Sequence, residues 1–482
     1  MNKTIRHASV FTLLLVLALL IRATWVQFHD STALADDKHN RRNAIEQYAH
    51  PLGDIIVGGE AITGSERTKG GDLAYKRTYK DGDLYSPVTG YSSQVFGATQ
   101  LEGIYKDLLD GTDNRLKNPL DTLTDKRADP GDVVTTIDPA VQKAGYKALG
   151  DTKGAAVAID PKTGKILGMV STPSYDPSKI SGSTDSKMWK ELTTDKEKPM
   201  VNRAMRQPLP PGSTFKLVVA AAALEDGLYG SVDTRTDSPN PYTLPGTRQV
   251  LHNENRAAPC ENADIRTALQ YSCNNVFAKM AVDLGQDKVK SMAEKLGFNA
   301  DKLDVPVRAG KSVYPSGMDK AQTGLSGIGQ FDVTATPLQM SMVSAAIANG
   351  GELVKPHMVS QISDADGNVL EKYDDAEAQR VMDESTAEGL QSAMRTVVDK
   401  GTGSNAKIPG ATVGGKTGTA QHGEKNSKTP YAWFTSYAKG GDGKEVAVAV
   451  MIESSSAARD EVSGNGLAAP IAKAMMQAAL KG

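Results

Sequence analysis

The sequence is short of net charge and of cysteine, and both shortages narrow the possible functions. Its 482 residues carry a formal charge of −2 at pH 7, and they contain no Lys/Arg tract. We therefore expect neither nucleic acid nor another polyanion as a partner. The chain contains two cysteines, and it shows no internal repeat and no low-complexity tract. Its length is sufficient for two or three globular domains.

A long apolar run occurs at the N-terminus. Residues 10–21 are almost entirely apolar, and Arg22 separates them from a second apolar stretch that ends at Val26. Together they reach the roughly 17–20 residues that a bilayer requires, and Arg22 can extend its charge to the interface. The competing interpretation is a cleaved signal peptide, but the nearest cleavage sequence, Thr32–Ala35, does not follow the run directly. We therefore predict an uncleaved membrane anchor.

Basic residues before this run determine its predicted orientation. Lys3 and Arg6 place the N-terminus in the cytoplasm and the body of the protein outside. An extracytoplasmic body permits a disulfide between Cys260 and Cys273. The alternative is two free thiols, one of them buried. A bridge would tether the sequence motif around Cys273 to the polar loop before it.

Apolar periodicity and turn residues predict a protein of mixed helices and strands. A polar tether is predicted at 29–43, and 101–109 is one amphipathic segment. The predicted strands are 53–59, 133–138, 154–160, 165–170, 411–418, 432–437 and 445–453. The predicted helices are 217–224, 263–271, 275–284, 333–348, 384–398 and 467–480, with another helix starting at Pro139. Because strands begin and end the larger domain, we expect one sheet that gathers both of its ends.

The stretch Pro210–Lys216 has the features of a catalytic serine at the start of a buried helix. Its prolines and glycine break regular structure, and a strong helix former follows at 217–224. A helix cap is the commoner role for a serine in this position. Lys216, however, shares a helix face with Ser213, and burial lowers the pKa of a lysine. A neutral amine beside a hydroxyl is a general base beside a nucleophile.

Two further motifs follow in order, Ser272–Asn274 and Lys416–Gly418. Neither they nor Ser-x-x-Lys is specific alone, since each pattern occurs elsewhere in the chain. The other occurrences are Ser404–Lys407, Ser436–Lys439, Ser238–Asn240, Ser463–Asn465 and Lys162–Gly164. Only the series that starts at Ser213 runs in sequence with each motif in a fitting setting.

The Ser-x-Asn motif offers groups that acylation of Ser213 requires. The Ser272 hydroxyl both donates and accepts, so it can relay a proton toward a leaving amine. The Asn274 amide can hold a peptide carbonyl or orient Lys216. Free backbone N–H groups at the start of the helix suit a developing oxyanion. A helix cap is the ordinary alternative for both polar residues of this motif.

The Lys-Thr-Gly motif lies in a predicted strand that is rich in glycine. Bare backbone around Gly418 would let an extended peptide lie alongside as an added strand. The Thr417 and Thr419 hydroxyls, together with Lys416, suit a carboxylate. A surface lysine with turn glycines is the ordinary alternative.

These motifs resemble those of the penicillin-binding protein and serine β-lactamase superfamily. The resemblance covers about the last two thirds of the chain, including KGTGSNAKIPGATVGGKTGTAQ from Lys400, GIGQFDVTATPLQM and YAWFTSYA. Within the superfamily the chain looks like a monofunctional class B penicillin-binding protein. The resemblance implies an α+β fold, with an antiparallel five-stranded sheet, helices on both faces, a small N-terminal pedestal and one transmembrane helix. The implied divisions are a cytoplasmic tail at 1–9, an anchor at 10–28, a linker and pedestal at 29–150, and a transpeptidase domain at 151–482.

The resemblance also implies a reaction on the D-alanyl-D-alanine end of a peptidoglycan stem peptide. Ser213 would attack the penultimate carbonyl, with the backbone N–H groups of Ser213 and Thr419 as the oxyanion hole. Lys216 and Ser272 would pass a proton to the departing D-alanine, and a neighbouring stem-peptide amine would then take the acyl group. β-Lactams would mimic the substrate, and neither a metal nor an organic cofactor is implied. The implied partner is a membrane glycosyltransferase of the shape, elongation, division and sporulation family.

Three other functions remain open on the sequence. A class A β-lactamase would carry a Glu-x-x-Leu-Asn segment after the Ser-x-Asn motif, and none is present. A D,D-carboxypeptidase uses the same acylation but transfers the acyl group to water. A β-lactam sensor or scaffold would be non-enzymatic, although sensors usually have more membrane helices.

Overall fold

The computed structural model describes residues 3–30, 41–70, 72–117, 127–373, 377–421, 423, 427–457 and 462–481. The strands are β1 (Ile55–Val57), β2 (Glu60–Ala61), β3 (Thr63–Arg67), β4 (Tyr75–Tyr79), β5 (Ser92–Ser93), β6 (Gly97–Ala98), β7 (Asp132–Thr135), β8 (Lys153–Ile159), β9 (Ile166–Thr172), β10 (Tyr242–Thr243), β11 (Val250–Leu251), β12 (Glu352–Val354), β13 (Val359–Ser363), β14 (Val369–Lys372), β15 (Ala378–Arg380), β16 (Thr412–Ala420), β17 (Tyr431–Lys439) and β18 (Glu445–Ser454).

Helices connect these strands and cover them. The α-helices are Lys3–Trp25, Arg41–Gln47, Gly82–Thr89, Gln100–Ile104, Lys106–Leu109, Pro139–Leu149, Ser186–Thr194, Arg203–Arg206, Lys216–Glu225, Ile265–Gln270, Asn274–Leu284, Gln286–Lys295, Lys320–Ser326, Pro337–Ala348, Glu384–Lys400 and Ala469–Lys481. Short 3₁₀ turns lie at Asn114–Leu116, Pro177–Ile180, Gly212–Phe215 and Ser404–Ala406, and π turns at Val26–Asp30 and Gly464–Ala468.

The largest sheet brings together the two ends of the C-terminal domain. Its strand order is β16-β17-β18-β8-β9, and every neighbouring pair is antiparallel. The predicted five-stranded antiparallel sheet is therefore confirmed. Among the described residues β16 has a strand neighbour on one side only, and it also contacts the turn Gly212–Phe215 and the helix Glu384–Lys400.

Alternate residues of β8 contact different helices, as the two-residue period of a strand requires. Ala156 and Ala158 pack in one apolar cluster with the helices Pro139–Leu149 and Ala469–Lys481. The residues between them pack in a second cluster, which includes the wholly buried helix Pro337–Ala348. Helices thus cover both faces, as the resemblance implied.

A second sheet, β14-β13-β7-β1-β2, is the centre of the smaller N-terminal module. Strands β1 and β7 come from before residue 150, whereas β13 and β14 come from the middle of the larger domain. Pairing of β7 with β13 therefore joins the two modules through backbone hydrogen bonds. The predicted division at residue 150 lies between strands that belong to different sheets.

The N-terminal helix Lys3–Trp25 continues into the turn Val26–Asp30, and its side chains are almost all exposed. Within the described ranges it is the one helix that is long and apolar enough to cross a membrane. The predicted cleavage sequence at 32–35 and most of the predicted tether at 29–43 lie outside the described residues. A helix occupies the described end of that tether, at Arg41–Gln47.

One predicted helix and the predicted amphipathic segment differ from the observed elements. The helix predicted at 333–348 begins at Pro337, because the Thr336 side chain caps it by accepting from the Gln339 N–H at 3.1 Å. The residues before it are extended and pair with other loops. The segment predicted at 101–109 is two short helices, separated at Tyr105.

Candidate active site

Ser213 lies in a tight turn that packs against the free edge of β16. Gly212 has a left-handed φ of 54°, and its N–H donates to the Gly329 carbonyl at 3.1 Å. Thr214 Oγ1 donates to the Pro211 carbonyl at 2.8 Å. A Cβ at Gly212 would lie 2.9 Å from the Thr419 carbonyl oxygen, so the turn and the strand are in contact. Ser213 keeps 9% of its surface exposed.

Lys216 begins the helix Lys216–Glu225 and is fully buried. Its Nζ donates to three oxygens: the Ser272 carbonyl at 2.7 Å, Ser272 Oγ at 3.2 Å and Asn274 Oδ1 at 2.8 Å. Of the two roles predicted for the Asn274 amide, the structure therefore places its oxygen for orienting Lys216.

Ser272 occupies the corner between the helices Ile265–Gln270 and Asn274–Leu284. Its φ of 59° is in the left-handed region, which is uncommon for a residue other than glycine. Lys416 Nζ donates to Ser272 Oγ at 3.0 Å and to the Thr417 carbonyl at 2.9 Å. The Ser272 hydroxyl is consequently within hydrogen-bonding distance of two lysine amines.

Burial shifts both amines toward their neutral forms. Burial, and after it the nearby charge of Lys416, holds the pKa of Lys216 well below that of a free lysine, and Glu254 opposes this shift. Burial lowers the pKa of Lys416 to about 7, again with Glu254 as the opposing charge. The predicted lowering of the Lys216 pKa is thus present in the structure.

The Lys-Thr-Gly strand is arranged differently from the prediction. Lys416 is fully buried and faces Ser272, whereas Thr417 Oγ1 donates to Thr402 Oγ1 at 2.9 Å. Thr419 remains half-exposed beside the Ser213 turn. Of the three residues proposed for a carboxylate, the half-exposed Thr419 is therefore the most accessible.

The glycines of this strand are explained by internal packing. A side chain at Gly414 would overlap the Tyr437 ring, one at Gly415 the Phe434 ring, and one at Gly418 the Pro211 carbonyl. Small residues are thus required by these neighbours, which gives the glycines a packing role that the sequence did not show. The feature that does suit an added peptide strand is the missing strand partner at the edge of β16.

Of the other copies of the short motifs, Ser238–Asn240 contacts the helix that follows Ser272, because the Ser238 carbonyl accepts from Asn275 Nδ2 at 3.1 Å, and the remaining four lie in the sheet or in turns. Ser436 Oγ donates to the Val448 carbonyl inside the sheet, and Ser463 caps the turn that follows it. Lys162–Gly164 is the turn between β8 and β9. Ser404 lies in an exposed 3₁₀ turn. None of these serines contacts the Lys216 and Lys416 amines.

Cys260 and Cys273 are joined by a disulfide, with their Cα atoms 5.6 Å apart. Cys273 lies between Ser272 and Asn274, so the bridge attaches the Ser-x-Asn corner to the preceding polar loop. Within the described ranges, no group of three or more His, Cys, Asp or Glu side chains is arranged to hold a metal ion.

Sequence reasoning missed three residues that shape this site. Asn253 accepts from the Asn274 N–H at 2.5 Å. Glu254 is the acidic residue whose charge acts on both lysines. Gly329 has a φ of 68°, and a Cβ there would overlap the backbone of Gly212. Gly329 lies in GIGQFD, part of a stretch that resembles the penicillin-binding proteins, so the resemblance could have indicated it. Nothing in the sequence distinguished the other two residues.

Comparisons with known proteins identify both modules. A family model described as the penicillin binding protein transpeptidase domain matches residues 154–477. A second, described as the penicillin binding protein A dimerisation domain, matches residues 52–133. The peptidoglycan D,D-transpeptidase PbpA of Mycobacterium tuberculosis is 34% identical over 496 residues, which cover 100% of both chains. PbpA of Mycolicibacterium smegmatis is 34% identical over 495 residues, covering 100% of this chain and 99% of that one.

Solved structures give the same result. Penicillin-binding protein A from M. tuberculosis, as its ceftriaxone acyl-enzyme complex, matches with a TM-score of 0.83 and 34% identity. The match covers 90% of this chain and 100% of that one. The penicillin G acyl-enzyme complex of the same protein matches with a TM-score of 0.81 and 34% identity, covering 89% of this chain and 100% of that one.

Proposed function

The chain belongs to the penicillin-binding proteins with a transpeptidase domain, and we propose that Ser213 is the residue through which it cross-links peptidoglycan. The protein is a D,D-transpeptidase that forms a serine acyl-enzyme and is acylated by β-lactams. The observation that supports the assignment of Ser213 most directly is the pair of buried amines: Lys216, which follows Ser213 in the same motif, and Lys416 both donate to the Ser272 hydroxyl.

In acylation, neutral Lys216 accepts the proton of the Ser213 hydroxyl while Oγ bonds to the penultimate carbonyl carbon of the stem peptide. The backbone N–H groups of Ser213 and Thr419 stabilise the oxyanion. The C–N bond then breaks, and the proton reaches the departing D-alanine nitrogen through Lys216 and Ser272. A β-lactam follows the same steps, but its amine stays tethered to the acyl group.

In the second half of the reaction, an amine of a neighbouring stem peptide attacks the acyl carbon and releases Ser213. The donor peptide lies along the edge of β16 that has no strand partner among the described residues. Thr417, Gly418 and Thr419 line that edge. The Lys416 amine donates to the Ser272 hydroxyl.

The N-terminal helix anchors the protein in the membrane in a single pass. The orientation with the N-terminus inside follows from Lys3 and Arg6, which precede the apolar run. A transpeptidase acts on newly polymerised glycan, and its partner in this arrangement is a membrane glycosyltransferase of the shape, elongation, division and sporulation family. Reversal of Lys3 and Arg6 to glutamate, with topology read by protease accessibility, tests the orientation.

The experiment that tests the assignment is peptide mapping of the full-length protein after labelling with a fluorescent penicillin. Ser213→Ala should abolish the label, because no nucleophile remains. Ser404→Ala is the matched control, since Ser404 opens the same Ser-x-x-Lys pattern but lies in an exposed turn. A label that persists in Ser213→Ala, or that maps to another residue, contradicts the assignment.

Transpeptidation and hydrolysis differ in the molecule that takes the acyl group from the enzyme, an amine in the first case and water in the second. A thioester D-alanyl substrate mimic is supplied with and without a peptidoglycan-derived amine, and the products are identified by mass spectrometry. We expect the amine to take the acyl group in preference to water. Hydrolysis product alone, at every amine concentration and with polymerised glycan present, would assign the chain to the carboxypeptidases.

A further inference from the structure

The helix Asn274–Leu284 has no cap from its own sequence. Cys273 precedes it in the position that a capping side chain normally occupies, but its sulfur is in the disulfide and makes no hydrogen bond to the helix. The first N–H groups of a helix have no partner within it, and a buried helix end requires one from elsewhere.

Asn253 supplies that partner from the polar loop before the helix. Its Oδ1 accepts from the N–H of Asn274 at 2.5 Å and from the N–H of Asn275 at 3.4 Å. Its Nδ2 donates to Asn275 Oδ1 at 2.9 Å and to Asn240 Oδ1 at 3.1 Å. Asn253 is 6% exposed, so both ends of its amide are used in a nearly dry environment.

The same loop also fixes the side chain of Asn274. Asn274 Nδ2 donates to the carbonyl of His252, the residue before Asn253, at 3.0 Å. Because the NH₂ end of the amide is held there, its oxygen faces the other way and accepts from Lys216 Nζ at 2.8 Å. The carbonyl of His252 therefore determines which end of the Asn274 amide faces the amine, while Asn253 binds the backbone N–H of the same residue.

The corner that Asn253 holds is a strained one. Ser272 has a left-handed φ of 59°, and such a conformation persists only where the surrounding structure determines it. In that conformation both its carbonyl oxygen and its hydroxyl lie within reach of Lys216 Nζ, at 2.7 and 3.2 Å. Asn253 binds the two residues that follow the corner, and the disulfide at Cys273 binds the corner itself.

We propose that Asn253 is a positioning residue of the acylation site, which caps the Asn274 helix and thereby holds the acceptor oxygens of Ser272 and Asn274 toward Lys216. This inference rests on the proposed role of Ser213 and Lys216. Asn253 acts through Asn274, because its own hydrogen bonds go to Asn240, Asn274 and Asn275.

The test compares acylation by a fluorescent penicillin in the full-length protein, as a function of pH, for Asn253→Ala and Asn253→Asp. Asn202→Ala is the matched control. Asn202 is 4% exposed and also caps a helix, accepting from the Ala204 N–H at 3.1 Å, but it contacts neither lysine. The thermal midpoint of each variant reports its folding separately.

We expect Asn253→Ala to lower the acylation rate at the high-pH plateau by about 10-fold to 100-fold, as small misplacements of catalytic groups do. The acid limb is the part of the pH–rate profile in which the acylation rate falls as pH drops through the pKa of Lys216. This limb should move to lower pH, because Lys216 loses an acceptor that favours its charged form. Asn253→Asp keeps the capping oxygen but loses the two hydrogen bonds that Nδ2 donates to Asn240 and Asn275, so it should restore only part of the plateau. Its added carboxylate should move the limb to higher pH instead.

A shift of the limb to lower pH in Asn253→Ala, with an unchanged limb in Asn202→Ala, is a result that a merely structural role would not give. The inference is overturned if Asn253→Ala acylates like the unaltered protein, or if Asn202→Ala shows the same loss and the same limb shift. If Asn253→Ala does not fold, Asn253→Asp decides: a plateau rate equal to that of the unaltered protein overturns the inference. If the label in the unaltered protein maps to a residue other than Ser213, the proposed function itself is overturned. If the label maps to Ser213 and Asn253→Ala acylates at the rate of the unaltered protein, this inference alone is overturned.

Discussion

The amines of Lys216 and Lys416 approach the same atom, the hydroxyl oxygen of Ser272, at 3.2 and 3.0 Å. Both side chains are fully buried. Two positive charges in so small a volume repel each other, and burial opposes each of them. The pair therefore loses protons at lower pH than two free lysines would, which favours the neutral amine that the proposed role of Lys216 requires.

The first prediction concerns the pH dependence of acylation. Lys216 must be neutral to act as a base, so the rate falls when pH drops through its pKa. Because that pKa is held well below the usual value, and that of Lys416 is about 7, we expect the acid limb at or below neutral pH. The measurement is the second-order rate of penicillin acylation between about pH 5 and about pH 10, the latter near the pKa of a free lysine. A limb near the pKa of a free lysine would contradict the assignment.

Lys416→Gln provides a check on this coupling. Removal of the neighbouring charge should raise the pKa of Lys216 and move the acid limb to higher pH. Lys439→Gln is the matched control, because Lys439 lies in the same sheet but pairs with Glu445. A limb that does not move in Lys416→Gln would show that the two amines are not coupled.

The second prediction is that Lys216→Arg loses acylation by at least about 10²-fold, the lower range of general-base contributions. Arginine keeps the charge but cannot deprotonate at accessible pH. The rate of labelling by a fluorescent penicillin measures the effect. An arginine variant that acylates at the normal rate rules out Lys216 as the base.

The third prediction concerns the glycine behind the nucleophile. Gly329→Ala would push a methyl group into the Gly212 backbone, so it should displace the Ser213 turn and lower the thermal midpoint. Gly317→Ala is the matched control: its φ of 74° is similarly left-handed, but nothing lies within 4 Å of the added carbon. Equal midpoints and equal acylation rates for the two variants would contradict the role of this contact.

The fourth prediction is that Cys260 and Cys273 are bridged in the exported protein. Closing a loop of this length should stabilise the fold by roughly 3 kcal/mol in the chain-entropy model. Peptide mapping without reductant is the measurement, and we expect neither thiol to react with an alkylating reagent. Full alkylation of both residues would refute the bridge.

Sequence reasoning recovered the site better than its surroundings. The order of the Ser213, Ser272 and Lys416 motifs was sufficient to select them, and the structure brings all three together. The strands of the main sheet were also predictable, because short apolar stretches stand between clear turns. The course of the backbone between motifs was not.

What sequence could not supply was contact between distant parts of the chain. The helix start at Pro337 depended on the cap by Thr336, and the glycines around Gly415 depended on rings from another strand. Asn253 was indistinguishable from its polar neighbours until its partners, 21 and 22 residues later, were known. The roles of these residues depend on neighbours that are distant in the sequence, and no local sequence pattern predicts such neighbours.

The strand order of the main sheet has a consequence for biosynthesis. β18 alone joins the β16-β17 hairpin to β8, and its partner residues in β8 were made about 290 residues earlier, a separation typical of slow, non-local folding. Until β18 has emerged, β8 has an unpaired edge and the hairpin that carries Lys416 has no place in the sheet. A nascent chain that is interrupted before Glu445 therefore contains every catalytic side chain, yet it cannot assemble the site, and its open strand edges make it a target for aggregation or degradation.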